Sequence, residues 1–156
     1  MPLDVRRYTP NDVASLIALF RDTVRRVNAR DYSDQHALAW APDDIDTQQW
    51  IRRFDNKAVR VAELDGLPVG FVEIARDGQI GMLYVHADHQ GEGIASALVR
   101  TVEAWARARG LARLFTEATI TARPFFEHRG FRVIAPQRVV RRALEFINYR
   151  MDKQLV

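Results

Sequence analysis

QIGMLYVHADHQGEGIASALVRTVEAWARARG, residues 79–110, holds a strand, a glycine-bearing turn and a helix in one continuous run. Ile80, Met82, Leu83, Tyr84 and Val85 are apolar and β-prone. Residues 86–90 are polar, and Gly91, Glu92 and Gly93 make the turn. Beyond it Ile94, Leu98, Val102 and Trp105 recur at helical spacing, with alanines between them raising helix propensity. Gly110 stands where a helix-ending glycine belongs. A glycine loop feeding a helix turns backbone N–H groups outward at the positive end of the helix dipole, which suits an anion such as phosphate.

On the N-terminal side, Ala58–Leu64 alternates with period two and predicts a strand. Asp65-Gly66 signals a hairpin, residues 67–75 the next strand, and Arg76-Asp77-Gly78 a further turn. A three-strand antiparallel meander therefore leads into the central stretch. Before it, Leu3, Val5 and Tyr8 suggest a first strand. Thr9 and Pro10 open a helix whose apolar face runs through Val13, Leu16, Ile17, Phe20, Val24 and Val27. Residues 29–43 are less regular, and Asp44 or Asp46 caps a second helix through Trp50, Ile51 and Phe54.

After the central helix, residues 112–117 predict a fifth strand, joined to the meander by a parallel crossover. Residues 121–129 predict a short helix closed by Gly130. Residues 131–134 and 137–141 follow as strand interrupted by Pro136, and 143–151 as a last strand hairpinned through Arg141-Arg142. The expected class is α/β (α+β): a mixed, mostly antiparallel central sheet with one parallel βαβ step, flanked by about four helices, in a single domain over residues 1–156.

Composition narrows the function classes. The chain has no cysteine, so disulfide frameworks, thiolate metal sites and a cysteine nucleophile are excluded. His86 and His89 have no third ligand near them, so no metal is expected. No apolar run approaches membrane-spanning length, and a cytoplasmic protein without membrane contact is expected. All cations but Lys57 and Lys153 are arginines, in pairs such as Arg52-Arg53 and Arg141-Arg142. Acids lie among them and the net charge is only +3, which favours a mixed-sign solvated surface over a nucleic-acid footprint.

The glycine loop fits neither common nucleotide motif. A dinucleotide fingerprint needs a third glycine where Ser96 stands, and a P-loop needs a lysine the loop lacks. A phosphate cradle and a plain strand–helix turn both remain open on the loop alone.

Gln90-Gly91-Glu92-Gly93-Ile94-Ala95, after the strand and before the helix, resembles the Q/R-x-x-G-x-G/A motif of the GNAT (Gcn5-related) N-acetyltransferases. ARPFFEHRGFRV, residues 122–133, resembles that family's downstream helix-to-strand segment, and the order of elements matches over essentially the whole chain. The resemblance implies an acyl-CoA-dependent N-acyltransferase, with acetyl-CoA as co-substrate and an amine of a small molecule or peptide as acceptor. It implies that pantetheine pairs with the backbone of Leu83, Tyr84 and Val85. The pyrophosphate is then expected on Gln90, Gly91, Gly93, Ile94 and Ala95, with Ser96 assisting and the Glu92 carboxylate turned away.

The chemistry implied is direct attack of a neutral amine on the thioester, which needs a base for the ammonium and an acid for the thiolate. Glu73, on the strand beside Leu83–Val85, is the first candidate base, against the alternative of a solvent-facing strand glutamate; Glu117 is the second. The family's acid, a tyrosine in the cleft, falls at Phe126, which has no proton to donate. Tyr84, Tyr32 and Tyr149 are the possible substitutes. Tyr32, His36 and Trp40 are expected to clasp the acceptor. Phe126 also motivates a rival, a CoA-binding or sensing domain without catalysis; the arginine pairs motivate a second, a nucleic-acid-binding module. A homodimer through the last strands is possible, with Val139, Val140, Leu144, Phe146 and Ile147 as its apolar surface.

Overall fold

The computed structural model describes residues 2–155. Seven strands form one sheet: β1 (Asp4–Arg7), β2 (Ala58–Leu64), β3 (Leu67–Ile74), β4 (Gln79–Val85), β5 (Arg113–Thr119), β6 (Arg132–Arg141) and β7 (Leu144–Gln154). Their spatial order is β1-β2-β3-β4-β5-β7-β6, and every neighbouring pair is antiparallel except β4 with β5. Five α-helices cover the sheet: α1 (Val13–Arg26), α2 (Asp34–Trp40), α3 (Thr47–Phe54), α4 (Ile94–Ala108) and α5 (Arg123–His128).

Period-two alternation sorts each strand between two cores. Val72, Ile74, Ile80, Leu114 and Met151 meet Ile94, Leu98 and Val102 of α4 and Phe126 of α5 on one face. Val59, Val61 and Phe71 meet Leu16, Phe20 and Val24 of α1 and Trp50 and Phe54 of α3 on the other. The fold class, the meander and the parallel step are as expected. α3 is capped by Asp46, whose side chain accepts from the Gln48 N–H at 2.9 Å.

Three local expectations are corrected. The irregular segment contains α2, capped by the Ser33 hydroxyl, and raises the helices from about four to five. Pro136 does not break β6, which runs from Arg132 to Arg141 with one bulge between Val133 and Ala135. β6 is the sheet edge, where a missing N–H can face water without breaking a ladder. The β6–β7 turn lies at Arg142-Ala143, one residue later than expected, and both residues take positive φ (48° and 64°).

Candidate active site

β4 and β5 pair only at Gln79↔Phe115 and Ile80↔Thr116. The Thr116 hydroxyl donates to Ile80 O at 2.9 Å as the last tie, and beyond it the strands part. The opening is a cleft of about 370 Å³ between residues 81–85 of β4 and Glu117, Ala118 and Thr119 of β5. Phe125 and Phe126 of α5, Thr23 of α1 and the glycine loop complete its walls. A bulge re-aims β4 at this point. Glu73 pairs with Met82 and Ile74 with Ile80, leaving Gly81 without a partner. A β carbon there would collide with Glu73 Oε1 and stand 3.0 Å from Arg53 Nη2, so any larger residue has to displace that ion pair.

The alternation of antiparallel pairing sets which β4 backbone groups face the cleft. His86 N–H donates to Val69 O at 2.8 Å, so Tyr84 and Met82 direct their N–H and C=O groups at β3. Leu83 and Val85 turn theirs to the open side. The Val85 carbonyl accepts from the Thr23 hydroxyl (3.0 Å) and from Gln90 Nε2 (2.7 Å). Both Leu83 groups and the Val85 N–H are left facing the cleft.

At the far end, Gly91 (φ 77°) and Gly93 (φ 82°) take the left-handed conformation that brings the chain into α4. The first intrahelical bond runs from Ala97 N–H to Gly93 O at 3.1 Å, so the Ile94, Ala95 and Ser96 amides lack helical partners. All three residues line the cleft. Gln90 lines it too, while its side chain pins the end of β4. Glu92 lies 3.1 Å from the His89 ring and borders a separate depression with Leu3 and Leu64, away from the loop amides.

The two candidate carboxylates sit in different surroundings. Glu73 is fully buried, and Arg53 of α3 donates to it twice, Nε to Oε2 at 2.7 Å and Nη2 to Oε1 at 2.8 Å. It is therefore not the solvent-facing strand residue its position allowed, and it is not among the residues lining the cleft. Glu117 is exposed at the start of the β5 departure, has no ion-pair partner among the described residues, and lines the cleft.

Glu117 also lines a second cavity of about 280 Å³ on the α1–α3 side. The two cavities share Ile80, Gly81, Tyr84, Glu117 and Thr119, so they meet where the strands part. Tyr84 is the phenol at that junction. Its ring packs on Phe20 (4.9 Å between centroids) and Phe71 (5.8 Å). Burial pushes its hydroxyl well above the ordinary tyrosine range, against the opposing pull of the Arg141 and Arg53 guanidiniums and the Trp40 indole.

Of the residues expected to clasp an acceptor, Tyr32 and Trp40 line this second cavity beside Phe146. The Tyr32 hydroxyl is held by the backbone, donating to Ile147 O (2.8 Å) and accepting from the Ile120 N–H (3.0 Å). His36 meets Phe146 edge-to-face but does not line the cavity, and its ring nitrogens engage the Ser33 hydroxyl and Glu145 O. Tyr149 lines neither cavity; Arg123 covers its ring at 4.5 Å. Phe126 is buried against Phe125 and Phe131 and presents only hydrocarbon to the cleft.

Arg53, Arg141 and Asn148 also line the second cavity, and the sequence did not single them out. The arginines belong to pairs that composition alone assigns to solvated surface. Neighbours in a helix such as α3 point in different directions around its axis, and Arg141 ends β6 where Arg142 begins the turn, so one member of each of these pairs lines the cavity while its neighbour does not.

Residues 28–153 match the acetyltransferase (GNAT) domain family. The uncharacterised N-acetyltransferase YafP of Escherichia coli (strain K12) is 34% identical over 149 residues, 96% of this chain and 94% of that protein. A crystal structure of a GCN5-related N-acetyltransferase from Rhodopseudomonas palustris superposes with a TM-score of 0.94 at 31% identity, covering 99% of this chain and 96% of that one. The PaiA N-acetyltransferase of Thermoplasma acidophilum, in complex with coenzyme A, shares the fold at a TM-score of 0.81, 19% identity and 99% coverage of both chains. With a sheet that opens between β4 and β5 beside a glycine turn and a helix N-terminus, and with these relatives along nearly its whole length, the chain belongs to the GNAT family of N-acetyltransferases.

Proposed function

We propose that the protein transfers acetyl from acetyl-CoA to a primary amine by direct attack, within a single domain. The observation that carries this reading is the β4 edge. Leu83 and Val85 present strand-like hydrogen-bonding groups to a cleft that ends on unpartnered amides of a helix N-terminus. An amide-bearing pantetheine arm suits the first, and a pyrophosphate suits the second. The coenzyme A complex of the Thermoplasma relative supports the donor.

The amine enters from the second cavity. Its lone pair forms the N–C bond as the C–S bond breaks, and the electron pair leaves on sulfur. Glu117, exposed at the meeting of the two cavities and unpaired, removes the ammonium proton, directly or through one water. The Val85 N–H polarises the thioester carbonyl. Tyr84, at the junction of the two cavities, hands its proton to the thiolate, and the second proton shed by the acylated nitrogen restores its hydroxyl. Glu73 has a structural part, holding Arg53 beside the Gly81 bulge.

Calorimetry with acetyl-CoA tests the donor site. The parent protein binds, and Gly91→Asp, which adds a carboxylate to the loop at a left-handed position with no steric clash, loses binding by about a hundredfold or more while the fold bears only the backbone strain of one non-glycine residue. A parent protein that does not bind acetyl-CoA refutes the proposal.

A further inference from the structure

The second cavity carries more information than the place of an amine. Its charged lining residues are Glu117, Arg53 and Arg141. Arg53 is neutralised by the two hydrogen bonds to Glu73. Arg138 and Arg142, close to Arg141 in the chain, pair with Glu145 and Asp44, whereas Arg141 has no carboxylate partner among the described residues. One unpaired acid and one unpaired guanidinium thus face a common cavity.

The register places them at its two ends. On one face of the sheet, successive rungs are Glu117↔Arg150, Thr119↔Asn148, Val139↔Phe146 and Arg141↔Leu144. Asn148 Oδ1 is buried with no hydrogen-bond partner, an acceptor one rung from Glu117. Phe146, in tilted contact with Tyr32 and edge-to-face contact with Trp40, lies between that polar end and Arg141. The Thr119↔Asn148 and Val139↔Phe146 rungs lie between Glu117 and Arg141, which form no ion pair with each other, and each is left for a ligand.

We infer that the acceptor is an amine joined through an apolar spacer to an anionic group, a carboxylate or phosphonate. Its ammonium meets Glu117 and Asn148, its spacer lies on Phe146 and Trp40, and its anion is bound by Arg141. This rests on the acetyl-transfer reading above and specifies the substrate class for it. A guanidinium suits either anion because its planar N–H groups can bind two oxygens at once. A simple alkylamine or diamine would leave Arg141 unpaired in the occupied cavity, and a diamine would set a second cation against it.

The test compares kcat/KM for ω-aminocarboxylates of increasing chain length with n-alkylamines of matching length, in a CoA-release assay; aminoalkylphosphonates form a second arm that separates the two anions. At one or more lengths the anionic amine is expected to exceed its neutral match by about tenfold or more, the weight of one charge-assisted contact. Arg141→Gln brings that ratio close to one, mainly through KM, and Arg141→Lys restores part of it. The inference is overturned by a ratio of one or less at every length, by a preference that survives Arg141→Gln, or by a panel in which no anionic amine is acetylated. Loss of acetyl-CoA binding by the parent protein in the same preparation overturns the donor reading instead.

Discussion

Replacing each candidate carboxylate by its amide should separate a structural role from a catalytic one. Glu73→Gln keeps one oxygen for Arg53 and turns an NH2 toward the other guanidinium donor. One of the two bonds, at 2.7 and 2.8 Å, is lost, and the remaining one is no longer charge-paired. A hydrogen bond to a charged group contributes about 1.5–3 kcal/mol. Breaking a fully buried ion pair costs about 3–5 kcal/mol, but the Arg53 side chain is 42% exposed and water recovers part of that. A loss of about 2 kcal/mol follows, equivalent to roughly 4–8 °C in Tm for a chain of this size. Glu117→Gln removes an exposed carboxylate without an ion pair, so stability changes by no more than about 0.5 kcal/mol. The rate should follow the opposite order. Glu117→Gln lowers kcat by about a hundredfold and removes the base's limb from the pH profile, whereas Glu73→Gln retains that limb. Thermal unfolding of the free protein and CoA release across pH read both quantities. If Glu73→Gln melts like the parent yet loses the rate and the limb, while Glu117→Gln keeps them, Glu73 is the base and the role proposed for Glu117 is refuted.

Tyr84→Phe should lower kcat about tenfold or more with little change in fold, since the ring contacts to Phe20 and Phe71 remain; an unchanged kcat would mean that the thiolate departs with solvent help. The Arg6 guanidinium holds the Asp12 carboxyl below its ordinary range, against the opposing effect of burial. A depressed folded pKa stabilises the protein above the ordinary aspartate value near ~4 and loses that contribution as pH falls through the folded one. Urea unfolding at neutral pH should therefore find Asp12→Asn less stable than the parent, with the gap closing as pH falls below the ordinary aspartate range; a gap independent of pH excludes this linkage. Arg142 and Ala143 both occupy left-handed backbone, which costs a non-glycine residue about 1–2 kcal/mol. An Arg142→Asn, Ala143→Gly double variant should raise Tm by several degrees, a gain the exposed ion pair to Asp44 is too weak to cancel, and a lower Tm would show that the turn is unstrained.

Much of the fold was legible because local chemistry and tertiary packing agree. Period two in Ala58–Leu64, the Asp65-Gly66 turn and the helical spacing from Ile94 each meet the core they imply. The errors lie where tertiary context overrides a local rule. Pro136 reads as a breaker, yet an edge strand tolerates it. α2 is short, and its apolar residues Ala37 and Trp40 gain their meaning from packing on other elements. Glu73 was legible as an acid on the right strand. Its partner Arg53, 20 residues earlier on a helix, was not, because nothing in sequence spacing links a strand residue to a helix that folds across it.

By itself the sequence determined the order of the strands and of every helix but α2, the glycine turn at the head of α4 and the hydrocarbon of Phe126 where the resemblance implied a phenol. These follow from residue type and short-range periodicity, which act over a few bonds. The tertiary structure alone decided where the sheet opens, which of two glutamates lies in a salt bridge and which faces a cavity, and that Arg53 and Arg141 border that cavity. Those outcomes depend on a bulge at Gly81, on pairing between strands far apart in sequence and on side chains from α2 and α3 laid across them. Each is set by long-range packing, and no local pattern encodes it.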